Sequence, residues 1–172
     1  DVKDLGKRTW IRKGQGSEGL VSKEQIESVI REAMKLRGVP YLWGGMSSKG
    51  VDCSGMVRIS FLMNGVMLPR NASQQVFLGR EIIVKADHNI GKDNENLYDE
   101  MCRRIENLKP GDLVFFGTPA TKNRKQRVTH VGIYLGNNHI IHASQVVRIN
   151  SLLPSDADYY ENSHRLLGAT RL

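Results

Sequence analysis

The chain has 172 residues, enough for one ordinary domain plus an arm. Its 40% hydrophobic and 25% charged content is that of a soluble globular protein. No apolar run nears the roughly 18 residues of a membrane span, so no integral membrane segment is expected. The net charge of +7 favours acidic partners (nucleic acid, anionic lipid or a cell-wall polyanion) or simply a solvated basic surface.

Residues 1–21 are polar and Gly-rich without sustained periodicity, and read as an arm or linker. Neither an initiator Met nor a basic and apolar leader stands at the start, so a removed signal peptide or an upstream domain is expected. The first helix begins at Ser22, with Gln25 completing a capping box and Val21 and Ile26 placed for a hydrophobic staple. Ile26, Val29, Ile30, Ala33 and Met34 form its apolar stripe, and Gly38 and Pro40 end it. The aromatic stretch "PYLWGG" leads to "GVDCSGMVRISFLMNG", whose second part predicts a helix from Cys53 to Met63 ended by Asn64-Gly65.

"LPRNASQQVFLG" predicts a turn and a short helix, and residues 84–96 a polar loop. Leu97, Met101, Ile105 and Leu108 mark an amphipathic helix supported by a Glu100–Arg104 pair. The period then changes to that of strands: "KPGDLVFFG", "VTHVGIYLG", "HIIHAS", "VVRINSL" and "RLLGATRL". Gly136-Asn137-Asn138 joins the second and third as a hairpin. Helices first and an antiparallel sheet second make the class α+β. The basic loop carrying Lys122, Arg124, Lys125 and Arg127 has no interleaved aromatics, so no nucleic-acid partner is expected.

Two cysteines cannot by themselves form a disulfide-rich scaffold or a four-ligand zinc site. A free cysteine is often just a small buried hydrophobe. Cys53 has a different setting: Asp52 caps the helix before it, and the first helical turn favours a thiolate through unpaired N–H groups and the helix dipole. A thiolate nucleophile needs a base, usually histidine. Of five histidines, His88 and His164 read as surface residues, while His130, His139 and His142 lie on the hairpin.

Alternation puts His130, Gly132 and Tyr134 on one face of the first strand, and Ile140, His142 and Ser144 on one face of the second. With a three-residue loop at 136–138, Gly132 opposes His142, and His130 becomes its diagonal neighbour about 7–8 Å away at the backbone. A two-residue loop would send the two histidines to opposite faces. If they share a face, a triad follows: Cys53 attacks, His130 moves the proton and His142 fixes the tautomer of His130. A backbone N–H at the helix start would help hold the oxyanion. The alternatives are two satisfied core histidines, or an open zinc site of Cys53, His130 and His142.

"YLWGG…VDCSGMV", "LPRNASQQ", "LKPGDLVFF" and "THVGIYLGNNHIIHAS", in this order, resemble the NlpC-type cell-wall cysteine peptidases, a bacterial branch of the papain-like fold. The resemblance covers residues 22–172, taken as the peptidase domain, with 1–21 as the arm or the end of an upstream wall-binding domain. It implies hydrolysis of the amide between γ-D-glutamate and a diamino acid (meso-diaminopimelate or Lys), on peptidoglycan stem peptides or released muropeptides. No cofactor or metal is implied; a monomer in the extracytoplasmic cell envelope is.

Carried over by position, Cys53 resembles the nucleophile, His130 the base and His142 the orienting member. Asp52 and Ser54 match positions that bind the substrate's amino-terminal part, Tyr41 a tyrosine near the oxyanion, and Ser73 a substrate contact. Structural roles compete for these four: a cap for Asp52, wall packing for Tyr41 and Trp43, a spacer for Ser54, a helix start for Ser73. Residues 84–107 and 118–127 are longer than the family pattern, and Cys102, in the first of these, is expected to be free. The rival functions are an acyltransferase or amidase of the same fold and a non-catalytic wall-binding module.

Overall fold

Ser22 starts the first helix by a reciprocal cap: its Oγ accepts from the Gln25 N–H at 3.2 Å, and the Gln25 side chain accepts from the Ser22 N–H at 2.9 Å. The computed structural model describes residues 9–10, 21–84 and 90–172. The arm expected at 1–21 therefore lies outside the described residues except for Thr9, Trp10 and Val21, as does His88. Helix α1 (Lys23–Lys35) buries Val29 and Ala33, and Gly38 follows at φ +84°, a conformation that suits glycine. A small ladder of β2 (Met46–Ser47) and β3 (Gly50–Val51) leads into α2 (Cys53–Leu62). The strand before it, β1 (Thr9–Trp10), runs parallel to β4 (Val66–Met67).

Helix α2 is buried almost all round, from Cys53 to Val57 and again at Ser60 and Phe61. A helix with that pattern belongs inside a domain rather than on its surface. Gly55 makes the close approach possible: a Cβ there would stand 2.3 Å from the Gly45 carbonyl oxygen. The short α3 (Ala72–Gln75) and edge strand β5 (Arg80–Ile82) come next, then α4 (Leu97–Ile105). Strands β6 (Leu113–Thr118), β7 (Arg127–Gly136), β8 (His139–Ser144), β9 (Val146–Ser151) and β10 (Leu166–Arg171) complete one six-stranded sheet of order β5-β10-β6-β7-β8-β9. All of its pairings are antiparallel.

Alternation divides the core in two. Leu113, Phe115, Val131, Ile133, Ile141 and Ala143 join α1 and α2 in one cluster. Val114, Phe116, Tyr134 and Ile140 join Leu97, Met101 and Ile105 of α4 in the other. Burying each aliphatic side chain on these faces contributes about 1.5–3 kcal/mol. The class is thus α+β as the element order implies.

One expectation is corrected, and two features go beyond the sequence reading. The β7–β8 loop is a two-residue turn, Asn137–Asn138, with φ of +49° and +67°, and Gly136 pairs with His139. A bulge between Tyr134 and Gly136 adds one residue and restores the register Tyr134↔Ile140 and Ile133↔Ile141. Turn and bulge together act as a three-residue loop would. The expected Glu100–Arg104 pair forms, bonded at 2.8 Å, with both residues buried, and Arg104 Nη1 also donates to the His164 carbonyl at 2.6 Å. Strand β5 was not expected at all.

Candidate active site

The site starts from the cap of α2. Asp52 Oδ1 accepts from the Gly55 N–H at 2.7 Å, and Oδ2 from the Gly44 N–H at 2.9 Å. Arg70 grips both oxygens, Nη1 on Oδ1 at 2.9 Å and Nη2 on Oδ2 at 2.5 Å. Ser54 Oγ donates to Asp52 Oδ1 at 3.3 Å and accepts from Arg70 Nη1 at 3.0 Å. Burial pushes the Asp52 carboxyl up, but the bonds from Arg70, Gly55 and Gly44 outweigh it and hold it below the usual carboxylate range. Gln75 ties α3 to this end of α2 by donating to the carbonyls of Ser54 at 3.2 Å and Pro69 at 2.9 Å.

Cys53 is 8% exposed, in the first turn of α2. Burial pushes its thiol up, and the Asp52 charge adds to the rise; N–H groups of Val131, Ser54 and Cys53 itself pull the other way. The net direction is upward, which corrects the expectation of a thiolate at rest. The helix-end donors are present, but desolvation is the larger effect. Cys102 is free, as is Cys53.

The histidines stand on the neighbouring strands β7 and β8. Continuing the β7–β8 register sets Gly132 across from His142, where a Cβ would stand 3.2 Å from His142 Cβ. His130 Nε2 and His142 Nδ1 are hydrogen-bonded at 2.8 Å, and His142 Nε2 bonds Asn150 Oδ1 at 3.0 Å. Tyr160 closes over both, its ring centroid 4.6 Å from His142 and 5.7 Å from His130, with Phe116 5.9 Å from His130. Burial, with His142 nearby, drives His130 down to about 3, and burial drives His142 down to about 4. Both rings are neutral at pH 7.

An open cleft of about 550 Å³ lies at this end of α2 and reaches β7 at Arg127, Val128 and Thr129, the residues just before His130. Tyr41, Asp52, Cys53, Ser54 and Ser73 all line it, with Arg70 and Arg127. Trp43 stands at its rim, 86% exposed, and so packs no wall. Burial, followed by the neighbouring Cys53 and Asp52 charges, raises the Tyr41 phenol. The zinc alternative for Cys53, His130 and His142 meets a geometric obstacle, since both ring nitrogens of His142 are already spoken for. Among the described residues, His139, Asp156 and Asp158 do cluster. Their atoms are engaged in His139–Asp158 at 3.3 Å and in hydroxyl bonds from Ser151 and Ser155 to Asp156.

Sequence reasoning missed Arg70, Asn150 and Tyr160. Asn150 left one trace: a polar residue on the same face as His142 in the strand beside it, Ile140↔Asn150 and His142↔Arg148 being paired. Arg70 and Tyr160 left none, because their partners are far away in sequence.

An α+β domain of this kind, with a cysteine at the start of a buried helix against an antiparallel sheet bearing paired histidines, is an NlpC-type domain. The family profile described as the NlpC/P60 family matches residues 38–165, and the chain belongs to that family. It is 30% identical over 152 residues to the gamma-D-glutamyl-L-lysine dipeptidyl-peptidase of Bacillus subtilis (strain 168), covering 88% of this chain and 43% of that protein. Over 108 residues it is 40% identical to the probable endopeptidase NlpC of Escherichia coli (strain K12), covering 62% of this chain and 54% of that one. Among solved structures, the peptidoglycan hydrolase RipB from Mycobacterium tuberculosis matches with a TM-score of 0.58 at 28% identity, over 87% of this chain and 65% of that one. The chain spans less than half the length of the Bacillus relative. No described helix is long and apolar enough to cross a membrane.

Proposed function

We propose that the protein is a cysteine peptidase that hydrolyses the amide between γ-D-glutamate and a diamino acid, meso-diaminopimelate or Lys, in peptidoglycan stem peptides or released muropeptides. The observation that carries this reading is Cys53 at the head of α2 in the cleft, with α2 packed on strand β7, which bears His130 of the bonded pair His130–His142. The Val131 N–H at the Cys53 thiol supports it, because Val131 directly follows His130.

In this reading, Cys53 Sγ attacks the scissile carbonyl while its proton passes to the His130 nitrogen not bonded to His142. The tetrahedral oxyanion lies at the start of α2, where the Cys53 N–H has no intrahelical partner, with the Tyr41 hydroxyl beside it. His130 then protonates the leaving amine, and the C–N bond breaks to leave a thioester. Water, deprotonated by His130, attacks the thioester and releases the acid and the free thiol. Neutral partners suit this cycle: charge appears only as the nucleophile forms.

The cleft carries the guanidiniums of Arg70 and Arg127 against the carboxylate of Asp52. That balance suits a peptide rich in carboxylates. Ser54 and Ser73 are taken as hydroxyl contacts for it. Asp52 is taken as the contact for the amino-terminal part, and an incoming ammonium would share the carboxylate with Arg70. A monomer acting in the extracytoplasmic envelope completes the reading.

The test is mass spectrometry of L-Ala-γ-D-Glu-meso-diaminopimelate, and of its Lys counterpart, after incubation with the protein or with Cys53→Ala. Release of L-Ala-D-Glu by the wild type alone is expected. Intact peptides after incubation with folded wild type would overturn the reading.

A further inference from the structure

A histidine base works only if the nitrogen facing its proton donor is bare. In His130 that nitrogen is Nδ1, because Nε2 is engaged with His142. A neutral imidazole carries one proton, so Nδ1 is bare only when Nε2 is protonated. His142 must then accept at its own Nδ1 and carry its proton on Nε2. What sets that last proton is the group facing His142 Nε2, the side-chain amide of Asn150.

The amide has two orientations, and its surroundings admit one. Asn150 Nδ2 lies 2.6 Å from the main-chain carbonyl oxygen of Asp158. Turned over, the amide would set its oxygen against that carbonyl, two acceptors at contact with no proton between them. The nitrogen therefore faces Asp158 and the oxygen faces His142, which must donate. The carbonyl is itself held in place: it also accepts from the Ser151 N–H at 3.2 Å, and Tyr160 N–H donates to the Ser151 carbonyl at 2.8 Å. His142 is fully buried and Asn150 is 9% exposed, so water offers little competition.

We propose that Asn150, oriented by the Asp158 carbonyl, is a positioning residue that fixes the tautomers of both His142 and His130 and so leaves Nδ1 of His130 bare. A single carbonyl decides, two rings away, whether the base can accept a proton. With the amide turned over, both imidazoles would switch, and His130 would present an N–H to the thiol instead of a lone pair. The depressed histidines agree with this, since a neutral pair is what a tautomer lock requires. The inference rests on the reading of His130 as the base, but its first test needs no substrate.

That test is long-range proton–nitrogen NMR of the full chain labelled with ¹⁵N-histidine, at pH 7. Both His130 and His142 are expected to be protonated at Nε2 and bare at Nδ1. Either ring protonated at Nδ1, or both tautomers in exchange, would overturn the proposal. Asn150→Leu should leave His142 in mixed tautomers. On a peptide that the wild type cleaves, it should lower kcat roughly 10–100-fold with KM within about twofold. A folded Asn150→Leu with wild-type tautomers would contradict the assignment. Should the wild type cleave no stem peptide, the proposed substrate fails while the NMR result still stands.

Discussion

The two halves of the candidate site are built on opposite principles. The Cys53 half is ionic: Asp52 and Arg70 meet in a two-pronged bond, and three backbone or hydroxyl donors fill what remains of the carboxylate. The histidine half carries no charge at neutral pH and is enclosed by Tyr160 and Phe116. Fixed charge lies where a charged substrate would have to be recognised, and neutral rings lie where a proton would have to move. Burial of the rings keeps the histidine pair dry enough for one hydrogen-bond pattern to dominate. The halves also differ in origin. The first gathers on the cap of α2, with Gly44 and Arg70 brought in from either side, and the second comes from three neighbouring strands.

The most severe way to break the comparison is to disturb the register of the second half alone. Inserting one residue between Val131 and Gly132 shifts the parity of His130 relative to the pairs Ile133↔Ile141 and Tyr134↔Ile140. His130 would then move to the sheet face opposite His142. Stem-peptide cleavage should be lost, with residual activity down by roughly a thousandfold or more. Far-UV circular dichroism should still report a folded α+β domain. Normal cleavage by this variant would mean that the pairing of the histidines is immaterial.

The second difference is in the response to acid. His130 and His142 are held at about 3 and about 4, below the ordinary value of 6.5. Between pH 6.5 and 4 the unfolded chain therefore binds protons that the folded chain refuses. Their contribution to stability is complete above pH 6.5 and is lost as pH falls through that window, by up to about 1.4 kcal/mol per pH unit for each histidine. Urea unfolding across this range should show the decline, and His142→Gln should remove about half of it. A flat profile would show that the rings are not buried neutral.

The ionic half gives a smaller effect. Arg70→Met leaves the Asp52 carboxylate, whose side chain is 11% exposed, without its cation. A loss of about 2 kcal/mol is expected, below that of a fully buried pair because Arg70 itself is 27% exposed. Asp52 is held below its unfolded value, so its contribution is present above the ordinary carboxylate range and disappears as pH falls through the depressed value. Arg70→Met should abolish that part of the acid response while leaving the histidine part in place. Separate acid responses would sharpen the comparison; a shared one would blur it.

The same division explains what could be read from the chain. The cap at Ser22 and Gln25 and the cap at Asp52 depend on residues three apart, and such spacings are visible in the sequence. Strand parity put His130, Gly132 and Tyr134 on one face, but the loop between β7 and β8 was read as three residues where two and a bulge occur. Both give the same register, which is why the histidines meet although the loop differs. Strand β5 has only three residues, two of them exposed, and shows no pattern until β10 pairs with it. The Glu100–Arg104 spacing was legible, but its burial was not, because the His164 carbonyl that Arg104 reaches lies 60 residues away. Arg70, 18 residues from Asp52, and Asn150, one strand beyond His142, belong with it: their roles exist only once distant segments are side by side.

The most direct test of covalent catalysis by Cys53 is rapid-quench intact-mass analysis of the protein mixed with L-Ala-γ-D-Glu-meso-diaminopimelate. A transient mass gain of one L-Ala-D-Glu acyl group is predicted, mapping to the Cys53 peptide and decaying as the dipeptide appears. Cleavage that proceeds with no adduct, and persists in Cys53→Ala, would contradict the account.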